Sequence, residues 1–288
     1  MIFYSELGFA RRWGRLGNQM FEYAGLKGIA AYKGYDWVIP TKEAIDEYID
    51  PKNGKDTGPY DLLLAFDLKT YSTPEPHVIK PNRIATPNLN LFPQWGNKIS
   101  EQTAESLLKQ TRDGIDYSGN YFQSELWFKH IKDEIKKDFT FRPEILNKVN
   151  IKDFSEYAFI HVRRGDYVNN NGYVDLSLNN YYEMAMSQFD FCQKFLVISD
   201  DIEYCKTLSY FKDCEFSDWG NNGIEDLATM SLCNGGINAN SSYSWWGAYL
   251  QKDRTKPIIY PNINTNWHGP RKDKKDLDGL MPKEWTQI

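Results

Sequence analysis

The sequence lacks a long apolar run and an excess of positive charge, and each absence excludes a class of protein. Glu6, Arg11, Arg12 and Arg15 interrupt the apolar residues near the start, and no stretch reaches the roughly 20 residues that span a bilayer. We therefore expect no transmembrane segment, and a protein that is cytoplasmic or peripheral to the inner membrane. The formal net charge of −5 supplies no basic field for a nucleic-acid backbone, so nucleic acid is not an expected partner.

The sequence also lacks a cysteine pair of the CxxC type. Its four cysteines are widely spaced and lie in segments that otherwise read as buried strand or helix: Cys192, Cys205, Cys214 and Cys233. We expect free thiols in the core. With 41% hydrophobic and 25% charged residues the chain has an ordinary globular composition, and its 288 residues suit one large domain or two small ones.

The C-terminal half alternates short apolar runs with helix-like segments. The runs are YAFIHV (157–162), KFLVIS (194–199), GGINA (235–239) and KPIIY (256–260), and the helix-like segments cover about 180–190, 201–210, 224–233 and 243–251. This alternation predicts a doubly wound parallel sheet. Such sheets bind ligands at the carboxyl ends of their strands, which points to the loops after His161, Ser199 and Asn240.

The N-terminal half predicts a second nucleotide-fold-like domain. Residues 14–34 look like a glycine loop capped by Asn18 and followed by an amphipathic helix, and 36–40 look like a strand. Long loops are expected between about 50 and 100, and helices at 101–111 and 124–138. The domain boundary is expected near 140–155.

The glycine segment GRLGNQ (14–19) is too short for a dinucleotide fingerprint and lacks the lysine of a P-loop, which disfavours a P-loop enzyme. Gly17 permits close backbone approach, while Arg15, Asn18 and Gln19 could reach into an interdomain cleft.

The sharpest local motif is HVRRGDYV (161–168), in which two arginines leave a predicted buried strand and enter a Gly-Asp turn. A guanidinium can grip phosphate oxygens through two hydrogen bonds and stabilise the charge on a leaving diphosphate. The alternative is a structural ion pair between Arg164 and Asp166. We expect both: Arg163 faces the ligand, and Arg164 with Asp166 braces the turn.

The segment NANSSYSWWGAYL (238–250) follows a predicted strand and enters a helix. Backbone N–H groups at a helix start, with Ser241 and Ser242, could hold phosphate oxygens without a metal. An ordinary serine N-cap explains the pattern equally well. Trp245 and Trp246 are expected to pack in the core.

Two acidic segments allow more than one interpretation. Asp226, near the start of a predicted helix, either favours the helix dipole or accepts the paired N1–H and N2–H donors of guanine. Asp200 and Asp201 resemble a metal-binding DxD sequence, but they are adjacent and Asp201 is expected to cap the next helix. We predict no metal.

Together, GRLGNQMFEYA, GNYFQSELWF (119–128), HVRRGDYV, FLVISDD (195–201) and DLATMSLCNGGINANSSYSWWGAYL (226–250) resemble glycosyltransferase family 11, the α-1,2-fucosyltransferases. The resemblance implies a GT-B-like α/β fold in which two Rossmann-like domains face each other across a cleft. Residues 1–148 would form the acceptor-side domain and 149–288 the domain that binds GDP-fucose.

The resemblance also implies roles for individual residues. His161 and Asp226 would contact guanine, Arg163 the β-phosphate, and Ser241 and Ser242 the phosphates. Arg15 and Asn18 would approach the phosphates and the fucose. The remaining predicted substrate-binding residues are neighbours of these in the same motifs: Gly17, Gln19, Arg164, Asp166 and Asn240.

The resemblance implies an inverting transfer of L-fucose from GDP-β-L-fucose to a hydroxyl, expected to be O2, of a terminal β-galactoside in a glycan. GDP-fucose is then a co-substrate, and no cofactor is expected. Arg163 and Asn18 are the expected catalytic residues, with Glu125 as a candidate general base; a phosphate-assisted or base-free mechanism is the alternative. Two other functions stay open: transfer from another nucleotide sugar, and glycan binding without catalysis, although a lectin would not need paired arginines at a strand end.

Overall fold

The structure is a computed structural model and describes residues 1–8, 14–47, 49–50, 54–55, 60–75, 77–79, 100–191, 193–252, 254–267 and 279–288. The chain forms two compact units, the first from Met1–Arg142 with Leu277–Met281 and the second from Pro143–Asp276 with Pro282–Ile288. The separate tasks expected of domains 1–148 and 149–288 stay predictions.

The first unit is built around one long helix and a small parallel sheet. Its elements are β1 (Ile2–Phe3), α1 (Leu16–Lys33), β2 (Trp37–Val38), α2 (Lys42–Glu47), β3 (Ile49–Asp50), β4 (Gly54–Lys55), α3 (Asp61–Ala65), α4 (Glu101–Gln110), 3-10 turns at Glu125–Trp127 and Lys129–Ile131, and α5 (Lys132–Asp138). β1 pairs in parallel with β2, and β3 is antiparallel to β4. The predicted strand at 36–40 and helix at 101–111 are confirmed.

Two predicted details of the first unit are wrong. Arg15, not Asn18, stands at the N-cap of α1, because Gly14 turns the chain with a φ of 109° and the Asn18 N–H already bonds the Arg15 carbonyl oxygen. The single helix expected at 124–138 is divided, because Phe128 adopts a φ of −133° and a ψ of 8°, outside the helical region.

The second unit alternates strands and helices as predicted. Its elements are α6 (Pro143–Val149), β5 (Tyr157–Val162), α7 (Tyr181–Met186), β6 (Lys194–Ser199), α8 (Ile202–Lys206), β7 (Glu215–Phe216), α9 (Gly223–Leu232), β8 (Gly236–Ile237), α10 (Ser242–Tyr249), β9 (Ile258–Tyr260) and β10 (Thr286–Gln287). Short 3-10 turns lie at Phe154–Glu156, Gly165–Tyr167, Leu176–Leu178 and Ser209–Phe211. The described strands form one six-stranded sheet in the order β10-β9-β8-β5-β6-β7, and every neighbouring pair is parallel.

Alternate residues of the central strand β5 face opposite layers of helices. Ile160 and Val162 belong to the apolar cluster that includes Tyr182 of α7 and Cys205 of α8. His161, between them, contacts the ring of Tyr243 in α10, with ring centres 5.3 Å apart. Helices therefore cover both faces of the sheet, which is the doubly wound arrangement that the sequence predicts.

The predicted core residues are confirmed where the structure describes them, except that Cys214 is only half-buried. Trp245 and Trp246 are fully buried. Cys205, Cys214 and Cys233 are free thiols, of which Cys205 and Cys233 are buried; Cys192 lies outside the described residues. In the part of the chain that the structure describes, no helix combines the length and the apolar character needed to cross a bilayer.

Candidate active site

The parallel register of the sheet brings the ends of β5 and β6 together. Val162 and Ser199, the last residues of the two strands, are partners in the ladder. The residues that follow them, Arg163 and Asp200, are therefore neighbours at the carboxyl edge, where parallel sheets bind their ligands.

Arg163 is held at this edge by two carboxylates. Its Nη1 lies 2.6 Å from Asp200 Oδ2, and its Nη2 pairs with Asp166. The guanidinium carbon is 5.6 Å from the centre of the Tyr167 ring. Burial lowers the pKa of Arg163, but Asp200 and Asp166 outweigh burial and leave it above the ordinary value. The side chain retains 18% exposure, so its fork is oriented and still reachable.

The pairing predicted between Arg164 and Asp166 is wrong, because the two adjacent arginines leave the strand end in different directions. Arg164 Nη1 donates to Asp175 Oδ2 at 2.8 Å, and Nε donates to Asp201 Oδ2 at 3.1 Å. The residue is only 9% exposed. Arg164 therefore braces the loops behind the edge, while Asp166 orients Arg163.

Gly165 is required by the close approach of Asp200. A Cβ atom at Gly165 would lie 2.4 Å from Asp200 Oδ2 and 3.8 Å from the guanidinium carbon of Arg163. Asp200 Oδ1 also accepts the backbone N–H of Arg164 at 2.9 Å. The small residue in the RRGD turn thus allows one carboxylate to fasten both the turn and Arg163.

His161 is a neutral imidazole beneath the edge. Burial, with a smaller contribution from the charge of Arg163, lowers its pKa to about 3. Its Nδ1 is buried and has no hydrogen-bond partner among the described residues. A buried ring nitrogen without a partner is an unmet polar group, which a ligand or a water molecule could satisfy.

Asp226 lies in α9, which Asn222 and Glu225 cap through a complete capping box. Its Oδ1 accepts hydrogen bonds from Ser217 Oγ at 2.7 Å and Asn221 Nδ2 at 3.2 Å. Burial raises the pKa of Asp226 to about 6. The carboxylate is half-buried, and both bonds from the described residues fall on the same oxygen, so Oδ2 can accept a further donor.

The Asn-Ser-Ser turn joins β8 to α10 and includes a serine cap. Ser241 is the N-cap of α10, and its Oγ accepts the backbone N–H of Tyr243 at 3.3 Å. Ser242 is the first residue of the helix. Asn240 is 1% exposed, and its Nδ2 donates to the carbonyl oxygens of Val174 and Trp267, each at 3.0 Å. Ser241 therefore shapes the helix start, and Asn240 fixes the loop that leads to it.

In the first unit, the glycine loop forms the start of α1. A Cβ atom at Gly14 would lie 2.2 Å from Asn18 Nδ2, so Asn18 packs directly over the glycine, and its Oδ1 accepts Gln123 Nε2 at 2.9 Å. Arg15 is exposed, and Gly17 is buried in the first turn.

Gln19 and Glu125, two polar residues predicted for the site in the first unit, are buried. Gln19 is 1% exposed, and its Oε1 accepts the backbone N–H of Leu62 at 3.1 Å. Glu125 is 9% exposed in its 3-10 turn. Gln19 thus connects α1 to α3, and Asn18 and Arg15 carry the more accessible polar groups of this loop.

Asp200 and Asp201, the pair compared with a DxD sequence, are occupied by protein groups. Asp201 caps α8 by accepting the Tyr204 N–H at 3.3 Å, as predicted, and it also pairs with Arg164. Within the described ranges, no group of three or more His, Cys, Asp or Glu side chains is placed to hold a metal ion.

Comparison with known families gives a match across most of the chain. The family model described as glycosyl transferase family 11 matches residues 81–288. The chain belongs to this family. The family 11 chain is 29% identical over 309 residues to an α-1,2-colitosyltransferase of Escherichia coli, a match that covers 97% of this chain and 98% of that protein.

One further relative of this family 11 glycosyltransferase and one solved structure carry fucosyltransferase names. A mouse galactoside 2-α-L-fucosyltransferase, Sec1, is 26% identical over 261 residues, covering 82% of this chain and 62% of that protein. The crystal structure of the α-1,6-fucosyltransferase NodZ, soaked with GDP-fucose, superposes with a TM-score of 0.50 at 15% identity, covering 87% of this chain and 92% of that one. The predicted GT-B-like α/β class is confirmed.

Two polar residues of the family 11 protein were not predicted from the sequence. Asn238, after β8, is 1% exposed, and neither Oδ1 nor Nδ2 has a partner among the described residues. Asp61 begins α3, and burial raises its pKa to about 6. Asn238 could have been predicted, since it follows the end of a parallel strand. Asp61 could not, because it lies in a stretch whose sequence predicts a loop.

Proposed function

We propose that this glycosyltransferase transfers L-fucose from GDP-β-L-fucose to O2 of a terminal β-galactoside, with inversion and without a metal. The observation that supports this proposal is the fixed orientation and partial exposure of the Arg163 side chain at the carboxyl edge of the sheet. Its guanidinium is oriented by Asp166 and Asp200 and remains partly exposed. A fork fixed in this way is suited to a diphosphate, which needs paired donors at a defined position.

The guanine base would be recognised by two residues of the second unit, the neutral His161 and the acidic Asp226. His161 carries no charge at neutral pH, and its Nδ1 has no hydrogen-bond partner among the described residues. Asp226 Oδ2 accepts no hydrogen bond from the described residues, so it can accept the N1–H and N2–H donors of guanine. Adenine lacks that donor pair, which supports GDP rather than ADP as the leaving group.

The diphosphate would be neutralised by protein groups. As the bond to the sugar breaks, charge grows on the β-phosphate, and Arg163 with the N–H groups at the start of α10 meets that charge. Ser241 and Ser242 stand at this helix start, and Arg15 and Asn18 of the first unit serve the phosphates and the fucose. Attack of the acceptor hydroxyl opposite the leaving diphosphate then gives the α-fucoside.

A second donor sugar has specific support. The E. coli relative that covers 97% of this chain is named for colitose, the 3-deoxy form of L-fucose. Both sugars would present the same diphosphate to Arg163, so the choice depends on a single hydroxyl group. The alternative activity is therefore transfer from GDP-colitose to the same acceptors.

The decisive experiment mixes the protein with GDP-L-fucose, GDP-colitose or UDP-galactose and a panel of β-galactosides and matched α-galactosides. Products are weighed by mass spectrometry, and the new linkage is assigned by NMR. We expect α-1,2-fucosylated β-galactoside. Transfer of colitose alone would replace the donor in the proposal, and glycan binding without any product would favour a lectin.

A further inference from the structure

A half-buried carboxylate lies beside the glycine loop of the first unit. Asp61 is the first residue of α3, and the next backbone N–H, that of Leu62, donates to Gln19 Oε1 at 3.1 Å. This bond fastens the start of α3 to the first turn of α1. Asp61 is therefore held close to the segment that carries Arg15 and Asn18, the two polar side chains for which the proposed function has a task.

Among the described residues, the carboxylate of Asp61 has no hydrogen bond and no ion pair of 4 Å or less, although the charge of Arg15 acts on it. Other carboxylates near this loop are more enclosed: Glu22 is fully buried, and Glu125 is 9% exposed. Asp61 thus combines access for a substrate hydroxyl with a fixed backbone position.

We propose that Asp61 is the general base for the acceptor, an inference that rests on the proposed fucosyl transfer. Asp61 accepts the proton of the acceptor hydroxyl while the acceptor oxygen forms its bond to C1 of fucose. The bond from C1 to the β-phosphate oxygen breaks, and its electron pair leaves with GDP. The acceptor oxygen loses its proton to Asp61 and gains the fucosyl group, so no further reactant is needed.

The electrostatic surroundings suit this task. Burial raises the pKa of Asp61 to about 6, and the charge of Arg15 opposes part of that shift. Arg142 also reaches α3, where its Nη2 donates to the Leu63 carbonyl oxygen at 3.2 Å. At pH 7 most of the carboxylate is ionised, yet it is a stronger base than an exposed aspartate.

The test compares Asp61→Asn with Asp67→Asn, a matched control whose side chain is 94% exposed. We expect Asp61→Asn to lower kcat about 10²- to 10⁴-fold. GDP affinity and melting temperature should stay unchanged, and Asp67→Asn should behave as wild type. At saturating donor, the kcat of the wild type should fall as the pH drops through about 6, and Asp61→Glu should retain that decline.

Three outcomes would overturn the assignment. Full turnover in a folded Asp61→Asn variant would remove Asp61 from the reaction. If that variant does not fold, a wild-type kcat that stays flat between about pH 5 and 8 would do so instead, since the base could not titrate there. A loss of GDP affinity equal to the loss of turnover would make Asp61 a binding residue. Absence of any transfer by the wild type would count against the proposed function, and is read in the same assay.

Discussion

The guanidinium carbon of Arg164 lies 3.3 Å from the centre of the Tyr204 ring. Its Nε donates to Asp201, and its Nη1 donates to Asp175 and to Ser177. Arg163, the adjacent residue, keeps part of its surface free. The two arginines of one motif therefore have different tasks, and their substitutions should have different consequences.

Arg164→Ala should lower the free energy of unfolding. The substitution leaves Asp175 without its buried cation, and breaking such a pair typically costs about 3–5 kcal/mol. Urea unfolding of the variant, with Lys206→Ala as the exposed control, measures the loss. A variant as stable as the wild type would show that Arg164 does not brace these loops.

Arg163→Lys should instead lower turnover in a protein that remains folded. Lysine keeps the charge but loses the paired donors that position the β-phosphate, and loss of one such donor typically costs about 10²- to 10³-fold in rate. The effect should appear in kcat more than in donor binding, because charge on the phosphate grows as the bond breaks. A near-normal kcat together with a normal melting curve would show that Arg163 has only a structural role, in its ion pairs with Asp166 and Asp200.

Asp226→Asn should weaken GDP binding and abolish its dependence on acidic pH. The carboxylate must be ionised to accept two guanine donors, and its pKa is raised to about 6, so wild-type affinity should fall as the pH drops through that value. Above about pH 7 the affinity should be constant. Calorimetry at pH 5.5 and 7.5 tests both statements, and equal affinity of the two proteins at pH 7.5 would leave Asp226 only its bonds to Ser217 and Asn221.

Activity should survive EDTA. In the proposed mechanism, Arg163 and the N–H groups at the start of α10 supply the positive charge that a cation would otherwise bring to the diphosphate. Initial rates with EDTA, and after dialysis into added Mg²⁺ or Mn²⁺, are the measurement. Inactivation by EDTA that either ion reverses would contradict the proposal.

Glu22→Gln should stabilise the first unit at neutral pH. Glu22 is fully buried in α1, neither carboxyl oxygen has a hydrogen-bond partner within the described ranges, and burial raises its pKa well above the ordinary value. The folded protein therefore keeps the proton that the unfolded chain releases near pH 4. This contribution to stability is complete below the unfolded pKa and is lost as the pH rises toward the folded one.

The gain from Glu22→Gln should thus be small at pH 4 and larger at pH 7, where the unfolded chain has released the proton that the buried carboxyl retains. Urea unfolding at both pH values measures it, with the exposed Glu43→Gln as the matched control. A destabilised glutamine variant at pH 7 would mean that Glu22 is ionised and paired in the folded protein.

The sequence by itself determined the architecture of the second unit. The strands 157–162 and 194–199 were placed to the residue, because continuous apolar runs bounded by polar turns have few other solutions in a parallel sheet. The two-residue strands β7 and β10 were missed, since neither run is long enough to show a period. The same limit made the sheet of the first unit, with strands of two residues, hard to predict.

Only the tertiary structure decided which partner each polar residue takes. Sequence proximity favoured Arg164 with Asp166, but the end of β5 directs Arg163 to Asp166 and Arg164 to Asp175. Asp61 shows the same limit, because its neighbour Arg15 is 46 residues away in the chain and they are brought together by the packing of α3 against α1. Local pattern determines which residues enter a strand or a helix, whereas direction, burial and pKa depend on elements that meet only after folding.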